Sequence, residues 1–119
     1  MVGARSFSLD RVAVVARVDP DGSLWIDETR TYTYDGRYSW AECRLPLDRV
    51  GSVSDFSLVE GDCVFTGSTS EQPGTYELTS SPAEFYDRWH YVAEDETRSF
   101  TLRYRIGEAL TRHRDVAEL

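Results

Sequence analysis

The stretch Thr97-Arg-Ser-Phe-Thr-Leu-Arg-Tyr-Arg-Ile106 decides the fold class, because its apolar and polar residues alternate without a break. One side carries Phe100, Leu102, Tyr104 and Ile106, and the other carries Ser99, Thr101, Arg103 and Arg105. Side chains of a β-strand point alternately to the two faces of a sheet. The stretch therefore predicts a strand with one face on a core and the other toward water.

The rest of the chain repeats this alternation in short runs. Two of them, Val12 to Val18 and Leu24 to Tyr34, flank Asp19-Pro-Asp-Gly22, whose residue types favour a tight turn, so they predict a long antiparallel hairpin. Further runs lie at 38–45, 50–59, 63–65, 76–78 and 85–93. The polar segment 66–74 predicts an exposed loop, and the tail 108–119 fits a helix or a final strand.

These runs predict an all-β fold with about seven to eight strands: an antiparallel β-sandwich, immunoglobulin-like, with a small barrel as the alternative. The length of 119 residues fits one domain spanning residues 1–119. The longest apolar run, Val12 to Ala16, is far shorter than the roughly 20 residues that a membrane-spanning helix needs. We therefore expect no direct membrane insertion by this segment.

The charge balance argues against nucleic acid as a partner. The chain has 13 Lys and Arg against 21 Asp and Glu, a net charge of −8, and such a surface repels phosphates. All the basic residues are Arg, and Lys and Asn are absent, which is typical of a GC-rich genome. Five Arg lie between Thr97 and Arg114. We expect those on the strand to pair with acids across the sheet, with an anionic partner as the alternative.

No residue pattern predicts catalysis, a cofactor or a metal. Cys43 and Cys63 are the only cysteines, and two thiols alone do not make a structural zinc site. They form a disulfide in an oxidising compartment or remain small apolar thiols in a reducing one. Neither His90 nor His113 stands in a spacing that indicates a nucleophile–base pair.

Three charged residues fall on predicted core faces. Glu28 and Arg30 alternate with Leu24, Ile26, Tyr32 and Tyr34, and Asp87 falls on the face of its apolar neighbours in the 85–93 run. A buried charge must be paired, and Arg44 and Arg103 are candidate partners for Glu28. The alternatives for Glu28 and Arg30 are a bulge that turns both residues outward, or a functional carboxylate with a shifted pKa.

Several motifs together resemble a known family. They are Asp21-Gly-Ser-Leu24, Glu28, Tyr32-Thr-Tyr-Asp-Gly-Arg-Tyr38, Arg44-Leu-Pro46, Trp89, Phe100-Thr-Leu-Arg-Tyr104 and Asp115-Val-Ala-Glu-Leu119. In this order they resemble the N-terminal domain of a bacterial predicted-membrane-protein family, domain of unknown function 2207. Segment 59–81 and the two cysteines lie outside the pattern.

The resemblance implies an extracytoplasmic β-sandwich, here a trimmed ectodomain, anchored to the cell membrane through segments outside this chain. Because Glu28 and Arg44 both belong to the matched motif, it also implies a structural ion pair between them. We expect a non-enzymatic module that binds an unknown protein partner or positions the membrane-embedded remainder of its chain. The alternatives are a small-ligand-binding or enzymatic domain with a polar pocket around Glu28, and an assembly role through exposed strand edges.

Overall fold

Two packed β-sheets make up the computed structural model, which describes residues 5–47, 52–81 and 83–107. The strands are β1 (Ser6–Val18), β2 (Leu24–Asp35), β3 (Arg37–Pro46), β4 (Ser52–Glu60), β5 (Cys63–Val64), β6 (Thr66–Gly67), β7 (Thr75–Ser80), β8 (Glu84–Glu94) and β9 (Thr97–Gly107). Sheet A has the order β1-β2-β9-β4-β5, and sheet B the order β3-β8-β7-β6. The all-β sandwich is thus confirmed, while the immunoglobulin-like subtype stays a prediction.

The alternating stretch that predicted the fold class forms β9, at the centre of sheet A between β2 and β4. All four of its apolar side chains are buried, and Phe100 and Leu102 have no exposed surface. Phe100 packs against Trp89 and Tyr91 of β8, with ring centroids 5.7 and 4.7 Å away. The core therefore lies between β9 and β8, as the alternation predicts.

The predicted hairpin is also confirmed. β1 and β2 pair in antiparallel register from Ser6 opposite Asp35 to Val18 opposite Leu24. In the turn, Gly22 adopts a φ of 90°, which other residues rarely reach, and its N–H donates to the carbonyl of Asp19 at 3.0 Å. One irregularity near Asp10 shifts the register.

Segment 66–74 is less irregular than predicted. Its first residues form β6, a two-residue strand that pairs in parallel with β7, and Thr66 N–H donates to the Gly74 carbonyl at 2.9 Å. The alternation of apolar and polar residues could not predict this strand, because the segment is polar and so short an edge strand needs no apolar face. The tail 108–119 lies outside the described residues.

The chain passes from sheet A to sheet B at Gly36. A Cβ there would lie 2.6 Å from Cβ of Arg5, and the φ of 100° also favours glycine. The corner folds β3 back along β2, with the rings of Tyr34 and Tyr38 5.2 Å apart. Because β1 is also antiparallel to β2, β1 and β3 run in the same direction.

Sheet A extends beyond sheet B by one strand. β3 lies opposite β2, β8 opposite β9 and β7 opposite β4, as the aromatic contacts between these strands show. No strand of the described residues lies opposite β1, and twelve of its 13 residues are exposed. No part of the chain that the structure describes therefore covers the inner face of β1.

Candidate functional site

A cluster of polar side chains occupies the inner face of β2. Glu28 accepts a hydrogen bond from Nε of Arg30 at 2.5 Å and another from the hydroxyl of Tyr104 at 3.1 Å. Arg30 also donates to the hydroxyl of Tyr32 at 3.2 Å. Burial and the charge of Glu28 raise the pKa of Tyr104, so its hydroxyl keeps the proton that it donates. The two inward charges thus pair with each other, two positions apart on one strand.

Asp87 faces this cluster from β8. Its side chain is 2% exposed, and within the described part of the chain its Oδ1 has no hydrogen-bond partner. Burial raises the pKa of Asp87 to about 7; the charge of Glu28 also raises it, while Arg30 lowers it. The Nε1 of nearby Trp89 likewise lacks a partner among these residues. Near neutral pH the interior therefore holds a carboxyl group poised between its two protonation states.

The ion pair predicted between Glu28 and Arg44 is not formed in the structure, and this expectation is corrected. Arg44 lies on the outer face of β3, where it donates to Glu84 at 2.8 Å and stacks 4.6 Å from the ring centroid of Tyr86. Its neighbours on the strand occupy the inward positions, so alternation turns Arg44 away from the core. Glu28 and Arg44 both belong to the matched family motif, but this did not imply that they are in contact.

Both cysteines are free thiols. Cys43 lies partly buried on β3 at one edge of sheet B, and burial raises its pKa to about 12. Cys63 lies exposed on β5, at the opposite edge of sheet A. A disulfide needs Cα atoms within about 7 Å, which strands at opposite edges do not provide. Of the two alternatives that the sequence left open, the structure has the free thiols.

An open groove of about 390 Å³ runs between the inner face of β1 and the free edge of β3. Phe7, Leu9 and Tyr32 form its apolar floor, residues 39–42 form one wall, and Arg30 links it to the polar cluster. The edge of β3 that does not pair with β8 offers backbone donors and acceptors. An apolar floor beside such an edge can accept an additional β-strand.

A third group joins a histidine to two acids. His90 is 6% exposed, and its Nε2 lies 3.1 Å from Oε2 of Glu77. One ligand atom each of His90, Glu77 and Glu71 lies within 4.8 Å of the others. The spacing would suit a divalent cation, but the hydrogen bond between His90 and Glu77 accounts for their proximity without one.

The outer arginines of β9 pair with acids, as the sequence predicted. Arg103 donates to both carboxylate oxygens of Asp27, at 2.6 and 2.9 Å, which also excludes it as a partner of Glu28. Arg105, also on the outer face, pairs with Asp21. Arg98 lies instead on the inner face of β9, opposite Tyr32, and pairs there with Glu60 (Oε1 at 2.6 Å). These pairs neutralise Arg98, Arg103 and Arg105, while Arg112 and Arg114 lie outside the described residues.

A family model described as the N-terminal domain of predicted membrane proteins, DUF2207, matches residues 8–119. The chain belongs to this DUF2207 family. No curated protein and no solved structure matches it significantly. Within its described residues, the DUF2207 domain has no helix long and apolar enough to cross a membrane.

Sequence reasoning missed the groove of the DUF2207 domain. Alternation predicted an apolar face on β1, and Val12, Val14 and Val18 do share one face with the core positions of β2. It gave no information about whether sheet B reaches far enough to cover that face. The sequence did mark Asp87 as an unusual residue on its strand, because burying an acidic side chain on an otherwise apolar strand face costs free energy.

Proposed function

We propose that this DUF2207 domain is a non-enzymatic, extracytoplasmic interaction module of a membrane-anchored bacterial protein. Its partner supplies an extended protein segment, apolar on one face, that enters the groove as a β-strand. The observation that supports this most is the uncovered inner face of β1 beside the free edge of β3. Large exposed apolar patches on soluble domains mark interaction sites.

The groove satisfies both requirements of strand addition. Main-chain groups of β3 supply hydrogen bonds, and the floor supplies contacts for alternate side chains of the incoming strand. The polar cluster, by contrast, makes its hydrogen bonds internally, since each carboxylate oxygen of Glu28 already accepts one hydrogen bond from a cluster residue. Binding at the groove therefore requires no change in the core.

The interaction is tested by photo-crosslinking in cells that carry the full-length protein. A photoreactive amino acid at Val14, on the inner face, is expected to give a discrete protein adduct, because a bound strand would cover this position. The same residue at Val15, on the outer face of the same strand, is the matched control, and both positions are exposed. Equal yields at both positions, or no adduct at Val14, would contradict the proposal.

The extracytoplasmic location is tested separately through the exposed thiol of Cys63. A membrane-impermeant maleimide added to intact cells is expected to label the full-length protein. The Cys63→Ser variant is the control, because Cys43 is partly buried and burial keeps its thiol protonated. Labelling only after the cells are lysed would place the domain on the cytoplasmic side.

One observation favours a second function, a small-ligand site around Glu28. Asp87 and Trp89 each leave a buried polar atom without a partner among the described residues, and a small polar ligand could satisfy both. A ligand bound there would raise the unfolding temperature of the wild-type domain and much less that of Asp87→Ala. If none of a panel of small amines, amides and alcohols gives this difference, the second function fails.

A further inference from the structure

The uncovered face of β1 is a continuous apolar row. Its members are Phe7, Leu9, Val12, Val14, Ala16 and Val18, which pair with inward-facing residues of β2. Phe7 is 57% exposed, Leu9 43%, Val12 46%, and Val14 and Val18 55% each. These five side chains together expose roughly 400 Å², comparable to the largest apolar patch on a typical monomer, which is often functional.

The open position opposite this row has the width of one strand. Among the described residues, sheet A has five strands and sheet B four. Because β3 faces β2, the next position in sheet B lies opposite β1. A strand there would pair with the free edge of β3 and pack one face on the apolar row. It must be apolar on that face and mostly polar on the other, which meets water.

β1 itself meets these requirements. Its inner face is the apolar row, and its outer face is mostly polar, with Ser6, Ser8, Arg11 and Arg17 among its residues. Its 13 residues span the whole length of the ten-residue β3. We propose that β1 of a second copy of this chain fills the position, so that two domains form a twofold dimer. This inference rests on the proposed function and names the partner.

The symmetry follows from the strand directions. A twofold axis that runs parallel to the strands brings sheet A of one copy into line with sheet B of the other. It leaves the direction of every strand unchanged. The two apolar rows then face each other, and each β1 pairs with the β3 of the other copy. Because β1 and β3 run in the same direction, that pairing is parallel. The contact uses the same surface on both copies, so it closes at the dimer.

Charge complementarity supports this arrangement on the outer face. Phe7 and Tyr38 lie at the same height, with ring centroids 5.4 Å apart. Arg11 lies three ladder positions beyond Phe7, because β1 has one extra residue at Asp10, and Glu42 lies four positions beyond Tyr38, because the extra residue of the β3–β8 ladder is in β8. The dimer therefore places Arg11 of one copy one residue position from Glu42 of the other, a step of about 3.3 Å along the strand that a long arginine side chain spans.

The buried area is sufficient for a moderately tight dimer. The row supplies roughly 400 Å² per copy, about half of the ~800 Å² per partner of a standard interface. The edges of β1 and β3 and the groove wall at residues 39–42 supply the rest. An edge-to-edge pairing of two β1 strands would leave both rows exposed, so it is the weaker arrangement.

Sedimentation velocity tests the dimer on the domain, with a reducing agent present because Cys63 is exposed. From about 1 µM to about 500 µM, a monomer–dimer equilibrium with a micromolar Kd is expected. Val14→Asp is expected to weaken association at least 30-fold, because it puts a charge in the buried row. Val15→Asp, on the outer face, is expected to change it less than threefold. Both residues are already exposed, so both variants are expected to fold.

Three results would overturn the inference. They are a wild-type monomer at every concentration, equal weakening by the two substitutions, and open-ended growth beyond the dimer. The crosslinking experiment separates this failure from that of the proposed function. If Val14 crosslinks only to a different protein, the groove is still an interaction site and only the second copy is wrong. If Val14 gives no adduct and the domain is monomeric, both proposals fail.

Discussion

Replacing Asp87 by asparagine is expected to make the domain's stability less dependent on pH. The carboxyl group is 2% exposed, and burial raises its pKa to about 7, whereas an unfolded chain has an aspartate pKa of about 3.9. Between these two values the folded chain holds a proton that the unfolded chain has released. Stability from this group is therefore greatest at low pH and decreases as the pH rises toward 7.

The size of the effect follows from the two pKa values. From about pH 5 to about pH 8 the wild-type free energy of unfolding loses about 2 to 3 kcal/mol through this group alone. The amide of the Asp87→Asn variant has no proton to lose in this range, so the variant lacks this decrease. Urea unfolding at both pH values is the assay, and the difference corresponds to about 1 to 2 M in midpoint. Subtracting the variant's pH dependence from that of the wild type cancels the other titrating groups.

Asp27→Asn is the control with the opposite sign. Hydrogen bonds from Arg103 lower the pKa of Asp27, so the stability that it contributes is present above its unfolded pKa and is lost as the pH falls. The substitution is expected to matter at neutral pH and to lose its effect in acid. A stability difference between Asp87→Asn and wild type that is the same at both pH values would contradict the raised pKa of Asp87.

Three further outcomes are expected. Arg30→Ala leaves Glu28 buried without its cation and is expected to lower the free energy of unfolding by about 3 kcal/mol. The double variant Glu28→Ala/Arg30→Ala is expected to lose less than the sum of the two single variants. Urea unfolding measures both losses. Gly36→Ala is expected to cost about 2 kcal/mol or more, because its positive φ and close packing both disfavour a Cβ; thermal unfolding measures the loss. A thiol-specific reagent is expected to react quickly with Cys63 and slowly with Cys43, so a single fast phase for both would contradict the burial of Cys43.

The sequence predicted those parts of the fold that depend on local pattern. Alternation identified β9 and its buried face, and the Asp19–Gly22 turn identified the β1–β2 hairpin. β6 was missed, because a two-residue edge strand is specified by its neighbours and not by its own side chains. The order of strands in the sheets could not be predicted from local pattern either, since the pairing between β2 and β9 joins residues more than 60 positions apart.

The candidate site was predictable only in part. The pattern placed Glu28 and Arg30 on an inward face and required a partner for each, and the structure pairs them with each other. The expected partner, Arg44, was wrong because β3 turns that residue outward, toward Glu84. The groove depends on the relative widths of the two sheets, a property of the assembled sandwich that no single strand's pattern contains.

The central position of β9 has a consequence for synthesis. β9 is the last strand of the described chain, yet it separates β2 from β4 in sheet A. While the chain is being made, β2 can pair only with β1, and the two halves of that sheet remain apart until Gly107 has left the ribosome. The domain therefore cannot fold strand by strand from its N-terminus. It must close in one late, cooperative step, with the apolar face of the hairpin exposed to chaperones until then.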